Sequence, residues 1–134
     1  MTKEQLREYR ELKKERDHLA RLLARLEAEE PAPRTSKMDG MPRGSGENYV
    51  LEAKMDKEAE VRRLYYEKKA QLDAQLIHIE KVIETLESTE RTLMRLRYID
   101  GYKWERVAVE IGYSWQQTHR IHAAALEKLR GVGE

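Results

Sequence analysis

The sequence of 134 residues contains no cysteine, no phenylalanine and only three prolines. Without cysteine, the chain has neither a disulfide framework nor a thiolate metal site. No stretch approaches the roughly 20 apolar residues that a membrane span requires, and the N-terminal residues lack the apolar core of a signal peptide. We therefore expect a cytoplasmic protein with no membrane partner.

Charged residues make up 38% of the chain, which is typical of long, solvated helices. The net charge of +1 is unevenly distributed. Residues 1–30 hold eight Lys/Arg and eight Asp/Glu, and residues 48–90 hold seven and ten. Residues 91–130 hold eight Lys/Arg against four Asp/Glu, so the basic excess lies in the C-terminal third. Such an excess favours contact with phosphate groups.

Residues 3–30 and 48–87 predict two long helices. Leu12, Leu19 and Leu26 recur every seven residues in the first, and the second contains neither proline nor glycine. A helix of about 60 Å requires a partner along its side. The partner is either the first helix, in a hairpin, or a second copy, in a coiled coil that would make a homodimer. The short heptad pattern favours the hairpin.

Residues 31–47 contain all three prolines and three glycines, and this composition predicts a loop. Glycines beside Ser and Arg in Ser36 to Gly46 could form an anion-binding nest. A flexible connector is favoured, because the run has no Walker pattern and follows no strand. We divide the chain into a helical hairpin region, 1–87, and a C-terminal domain, 88–134.

A short third helix is predicted over residues 90–99, with Ser88 or Thr89 as its N-cap and a turn at Asp100-Gly101. Its apolar residues are expected to form a small trihelical core with those of the next two helices: Leu93, Leu96, Ile99, Val107, Ile111, Ile121, Leu126 and Leu129.

Residues 103–130 have the pattern of a helix-turn-helix. Gly112 stops the first helix, and Ser114 caps a second that runs from Trp115 to Arg130. Two short helices joined by a glycine-containing turn define this motif, whose second helix enters the DNA major groove. We therefore predict an all-α protein in which a long helical hairpin precedes a helix-turn-helix domain that binds double-stranded DNA.

The segment from about Arg91 to Arg130 resembles region 4 of sigma-70-type factors, the domain that recognises a promoter element through a helix-turn-helix. The resemblance rests on matching apolar, charged, glycine and serine positions: Glu105, Val107, Ala108, Glu110, Ile111, Gly112, Ser114, Ile121, Ala123, Ala125, Leu126, Lys128, Leu129 and Arg130.

The whole chain is also similar to small phage and prophage proteins of Gram-positive bacteria, the ArpU/RinA-type late-gene regulators, whose loop often carries a run like Ser36 to Gly46. This resemblance implies a sequence-specific regulator in the bacterial host cell, an activator of phage genes that contacts RNA polymerase. The alternative is a phage assembly protein such as a small terminase subunit, which also joins a helix-turn-helix to helical segments.

The sigma resemblance further implies a set of DNA-contacting positions in this sequence. Gln can pair with adenine and Arg with guanine, while basic residues of the preceding helix contact phosphate. This chain departs from the family at Lys103, where Thr is frequent, and at Trp115, where Arg is frequent. Trp115 has an alternative role in packing against the third helix, whereas Thr118 and Ile121 are assigned to the core. The implied contacts are Lys103, Arg106, Ser114, Trp115, Gln116, Gln117, His119 and Arg120.

Catalysis and metal binding are not expected. His119 and His122 lie far in sequence from His18 and His78, and no HExxH pattern is present. The acidic residues follow helix-surface spacing beside Lys and Arg, and no nucleophile motif occurs. We expect no catalytic residue, no metal and no cofactor.

Overall fold

The computed structural model describes residues 1–29 and 45–133, which contain helices and no strand. The helices are α1 (Lys3–Ala28), α2 (Ser45–Ile83), α3 (Ser88–Met94), α4 (Trp104–Ile111) and α5 (Trp115–Leu129). A five-residue π-helical turn, Arg95–Ile99, continues α3. The prediction of an all-α hairpin followed by a helix-turn-helix region is confirmed.

Helix α2 begins at Ser45, before the predicted start at residue 48. The first turn of a helix leaves its N–H groups without intrahelical partners, so Gly46 costs less there than it would in the helix interior. The remainder of the predicted loop, and with it residues 36–44 of the proposed anion nest, lies outside the described residues.

One compact unit of the chain comprises Glu15–Lys69, and in it α1 and α2 run antiparallel. Glu15 Oε2 lies 2.8 Å from Lys68 Nζ, and Glu27 Oε1 lies 3.3 Å from Arg62 Nη2. Exposed ion pairs of this kind contribute little to stability. The pairing therefore depends mainly on the leucine stripe of α1, whose members Leu19 and Leu26 are half-buried.

The other compact unit comprises Met1–Lys14 and Ala70–Glu134, so the first turns of α1 share a core with α3, α4 and α5. Leu6 is completely buried and Tyr9 is 5% exposed. These packing units differ from the division at residue 88 that the sequence suggested, which remains a prediction about domains. The core of this unit consists of Met1, Leu6, Tyr9, Leu72, Ile79, Val82, Ile83, Leu86, Leu93, Met94, Tyr98, Val107, Ala125 and Leu129.

The N-cap of α3 is Glu87, so the prediction of Ser88 or Thr89 was wrong by one or two residues. The Glu87 backbone N–H donates to Glu90 Oε1 at 3.1 Å. The same oxygen accepts from Lys128 Nζ at 2.8 Å, and Glu90 is 5% exposed. A carboxylate three residues after the cap can accept the orphan cap N–H, which serine at position 88 could not arrange from inside the helix.

Most of the predicted trihelical core is confirmed. Leu93, Val107 and Leu129 are completely buried. The turn at Asp100-Gly101 is also confirmed, with Gly101 at φ +77°. The remaining predicted residues are partly buried and pack against this core: Leu96, Ile99, Ile111, Ile121 and Leu126. None of the described helices is long and apolar enough to cross a membrane.

Candidate nucleic-acid interface

The turn between α4 and α5 is held by backbone conformation and by a side-chain cap. Gly112 adopts φ +75°, and its N–H donates to the Ala108 carbonyl at 3.0 Å. Ser114 Oγ then accepts the Gln117 backbone N–H at 3.1 Å. Glycine adopts this left-handed conformation without steric cost, and the serine satisfies an orphan donor of α5. The predicted helix stop and N-cap are both confirmed.

One face of α5 is buried and the opposite face at its N-terminus is open. Thr118, His122 and Ala125 face the core, and the Thr118 hydroxyl donates to the Ser114 carbonyl at 2.8 Å. Gln116 and Arg120 are exposed, and no described carboxylate pairs with Arg120. The first two turns of α5 therefore present unengaged polar side chains to solvent.

Gln117 is committed to the cap. Its Oε1 accepts from the Ser114 backbone N–H at 3.3 Å and lies 3.2 Å from Ser114 Oγ. A bidentate contact with adenine uses the amide oxygen as well as the NH₂ group. Gln117 could make that contact only by giving up its part in the capping box, whereas Gln116 carries no such cost.

His119 is half-buried inside an aromatic cluster. Its ring centroid lies 4.6 Å from that of Trp104 and 4.1 Å from that of Trp115. His119 Nε2 is buried without a hydrogen-bond partner among the described residues. His119 thus supports Trp115, which is 57% exposed and stacks on its own helix. The indole remains available at the open end of α5.

Lys103 and Arg106 lie at the start of α4. Lys103 occupies the N-cap position and its side chain makes no cap hydrogen bond, as its chemistry predicts. The Arg106 guanidinium carbon lies 3.7 Å from the Tyr102 ring centroid, and Arg106 Nε is 4.0 Å from Glu110 Oε1. Both side chains are exposed, which places two cations beside the N-terminus of α4.

A buried hydrogen bond stands behind this surface. The Tyr98 hydroxyl and His122 Nε2 lie 2.6 Å apart, and the two rings are stacked. Burial lowers the pKa of His122 from 6.5 to about 4, with further lowering by nearby positive charges, and burial also raises the pKa of Tyr98. Both groups are therefore neutral at pH 7. Sequence spacing could have placed His122 in the core, since positions 118, 122, 125 and 129 share one face.

Arg97 is a further cation, and the sequence pattern alone did not single it out. Its guanidinium carbon lies 4.7 Å from the Trp104 ring centroid, and Nη1 donates to the Tyr102 carbonyl at 2.9 Å. Its Nε is buried without a partner among the described residues. Burial lowers the pKa of Arg97, and Arg10 and Arg7 lower it further.

Residues 82–131 match the family model of Sigma-70, region 4. The matched segment contains α3, α4 and α5, while α1 and nearly all of α2 lie outside it. No curated protein and no solved structure matches the chain. The C-terminal segment is therefore a sigma-70 region 4-like helix-turn-helix, a class of DNA-binding domain. This part of the resemblance is confirmed.

Proposed function

We propose that this chain is a sequence-specific DNA-binding regulator of transcription, encoded by a phage or prophage and acting in the bacterial cytoplasm. The observation that carries the proposal is the open N-terminus of α5, where Gln116 and Arg120 project from a buried trihelical core within the sigma-70 region 4 match. The ArpU/RinA-type regulators are the group that the sequence resembles.

In the proposed complex, α5 lies in the major groove. Arg120 donates to a guanine edge and Gln116 pairs with adenine, while Trp115 contacts a thymine methyl group or a sugar. Lys103 and Arg106 bind backbone phosphate. Ser114 keeps the N-terminus of α5 capped, so the helix dipole adds to phosphate attraction. This role is binding without catalysis, and it involves no metal or cofactor.

We further propose that the protein activates phage genes by contacting RNA polymerase. Val109 on α4 is 78% exposed and Tyr113 in the following turn is 43% exposed. Apolar side chains exposed on a small domain favour a protein partner. Promoter-dependent transcription by purified polymerase, with and without this protein, tests the direction of the effect.

The first prediction concerns direct base contact. Replacing Arg120 by Ala should weaken specific DNA binding by about 1–3 kcal/mol, because a bidentate arginine–guanine contact contributes that much discrimination. Binding is measured by fluorescence anisotropy on a phage DNA site first located by footprinting. Arg130→Ala, which removes an exposed arginine from the other end of α5, is the matched control and should bind like the original chain.

A failure to retard any phage DNA fragment at low salt would contradict the proposed function. An equal reduction of affinity in the Arg120 and Arg130 variants would instead contradict base recognition by Arg120.

A small terminase subunit remains the second candidate, because the chain joins its helix-turn-helix to a helical hairpin. Exposed apolar side chains on α2, with Tyr49 72% and Met55 58% exposed, support self-association. Light scattering separates the two functions. A monomer or homodimer favours regulation, whereas a large ring favours DNA packaging.

A further inference from the structure

Three basic residues of α1 form one edge of that helix. Lys3, Arg7 and Arg10 follow one another at intervals of four and three residues, so their side chains share a face. We call this face the α1 basic edge. It borders the face through which Leu6 and Tyr9 are buried in the core. The helix therefore places this edge next to its contact with the rest of the C-terminal unit.

The α1 basic edge lies beside Arg97. Lys13 Nζ donates to the Ile99 carbonyl at 2.6 Å, which fixes α1 against the π-helical turn. Arg7 and Arg10 are close enough to Arg97 for their charges to lower its pKa. The Arg97 side chain in turn covers the ring of Trp104, the first residue of α4.

The same edge extends to α5. The charges of Lys3 and Arg7 lower the pKa of His122. The His122 ring centroid lies 4.5 Å from that of Trp104, which also contacts His119. The basic residues of α1 thus lie alongside the start of α4 and the first half of α5, the two parts that a helix-turn-helix directs towards DNA.

The positive charge of this region is not neutralised within the described part of the chain. No described carboxylate forms an ion pair with Lys3, Arg7 or Arg10. Glu105 is the acidic residue whose charge acts on Arg97, and Glu4 is the one that acts on Tyr98. Three neighbouring arginines, one of them with an unpartnered buried Nε, favour an external anion.

We propose that the α1 basic edge, together with Arg97, binds the phosphate backbone of duplex DNA next to the site that α5 recognises. This inference rests on the proposed function. It adds to the helix-turn-helix a contact from a helix outside the Sigma-70, region 4 match, so it is a property of this chain. Arginine suits the role because its guanidinium can hold two phosphate oxygens at once.

The test compares salt dependence. In the full chain, the double variant Arg7→Gln/Arg10→Gln should bind duplex DNA about tenfold more weakly at physiological salt, and to a similar extent for specific and unrelated sequences. The slope of log affinity against log salt should fall by about 0.9 for each phosphate that the variant no longer neutralises. Anisotropy titrations at several salt concentrations measure both quantities.

The matched control is Arg21→Gln/Arg25→Gln, which removes the same charge from exposed positions further along α1. It should leave the slope unchanged. Arg7→Glu provides a second variant at an exposed position, and circular dichroism checks that each variant is folded. Arg7→Lys/Arg10→Lys should recover most of the salt slope.

An unchanged affinity and slope in the Arg7/Arg10 variant, with DNA binding by the original chain intact, would overturn this inference and leave the proposed function standing. Such a result would assign the edge to an acidic protein surface. Equal reductions in the variant and its control would also overturn it, because a general charge effect would then explain the change. If the original chain binds no duplex, the proposed function fails and this inference fails with it.

Discussion

Two polar aromatic side chains meet in the interior of the C-terminal unit. His122 is 6% exposed and Tyr98 is 2% exposed, and their hydrogen bond leaves neither group unpartnered in an apolar surrounding. A buried imidazole in this setting is stable only in its neutral form. The stability of the DNA-binding unit is therefore coupled to pH through one residue.

The second prediction follows from this coupling. Because the pKa of His122 is lowered from 6.5 to about 4, the unfolded chain binds a proton between these values that the folded chain does not. Stability should therefore rise with pH across this window, and on acidification it should fall by about 2–3 kcal/mol between pH 7 and pH 4. Urea unfolding at a series of pH values measures the change.

The control is His122→Gln, which retains a hydrogen-bond acceptor for Tyr98 and does not titrate. Its stability should depend less on pH over the same range, even if it is lower at pH 7. A slope identical to that of the original chain would assign the pH dependence to the carboxylates.

At the scale of single helices, the caps define where the recognition elements begin. Helix α5 begins with a serine capping box and follows a glycine that ends α4. Helix α3 begins with Glu87 and Glu90, and the latter also holds Lys128 of α5. Each boundary is thus set by a local hydrogen bond, and one of them also joins two helices.

The third prediction compares two serines. Ser114→Ala should destabilise the fold by about 1 kcal/mol, since it leaves the Gln117 N–H without its acceptor. Ser88→Ala should be close to neutral, because Ser88 is exposed and lies inside α3 rather than at its cap. Thermal unfolding of both variants checks the difference. Equal effects would contradict the assignment of Glu87 as the cap of α3.

At the scale of the whole molecule, α1 takes part in both compact units. Its first turns contribute Leu6 and Tyr9 to the core that also holds α3, α4 and α5. Its later turns pair with α2 through Glu15 and Glu27. The N-terminal segment is therefore a structural component of the DNA-binding unit, although it is distant from it in sequence.

The fourth prediction tests this connection. Leu6→Ala should destabilise the C-terminal unit by about 2–5 kcal/mol, because Leu6 is completely buried and its truncation leaves a cavity. The tryptophans Trp104 and Trp115 report this unit directly, so their fluorescence during urea unfolding measures the destabilisation. Leu51→Ala, at a site that is 46% exposed, should change stability by less than about 0.5 kcal/mol. A Leu6 variant as stable as the Leu51 variant would contradict the shared core.

Sequence alone determined the local features, because these depend on residues close together in the chain. The proline-free heptad pattern predicted the long helices, and Gly112 and Ser114 predicted the turn between α4 and α5. The periodic apolar residues indicated most of the trihelical core. The assignments of Trp115, Gln116 and Arg120 to DNA contact remain predictions, and the structure leaves these three side chains exposed.

Only the tertiary structure decided which distant residues meet. It brings Tyr98 to His122, Lys128 to Glu90, and Lys13 to the Ile99 carbonyl. It also engages Gln117 in a cap and His119 in an aromatic cluster, where sequence alone implied DNA contact for both. Helical periodicity gives the face on which a residue lies, but the choice of partner for that face depends on how the whole chain packs. For this reason the α1 basic edge joins the DNA-binding unit only through the packing of that helix against it.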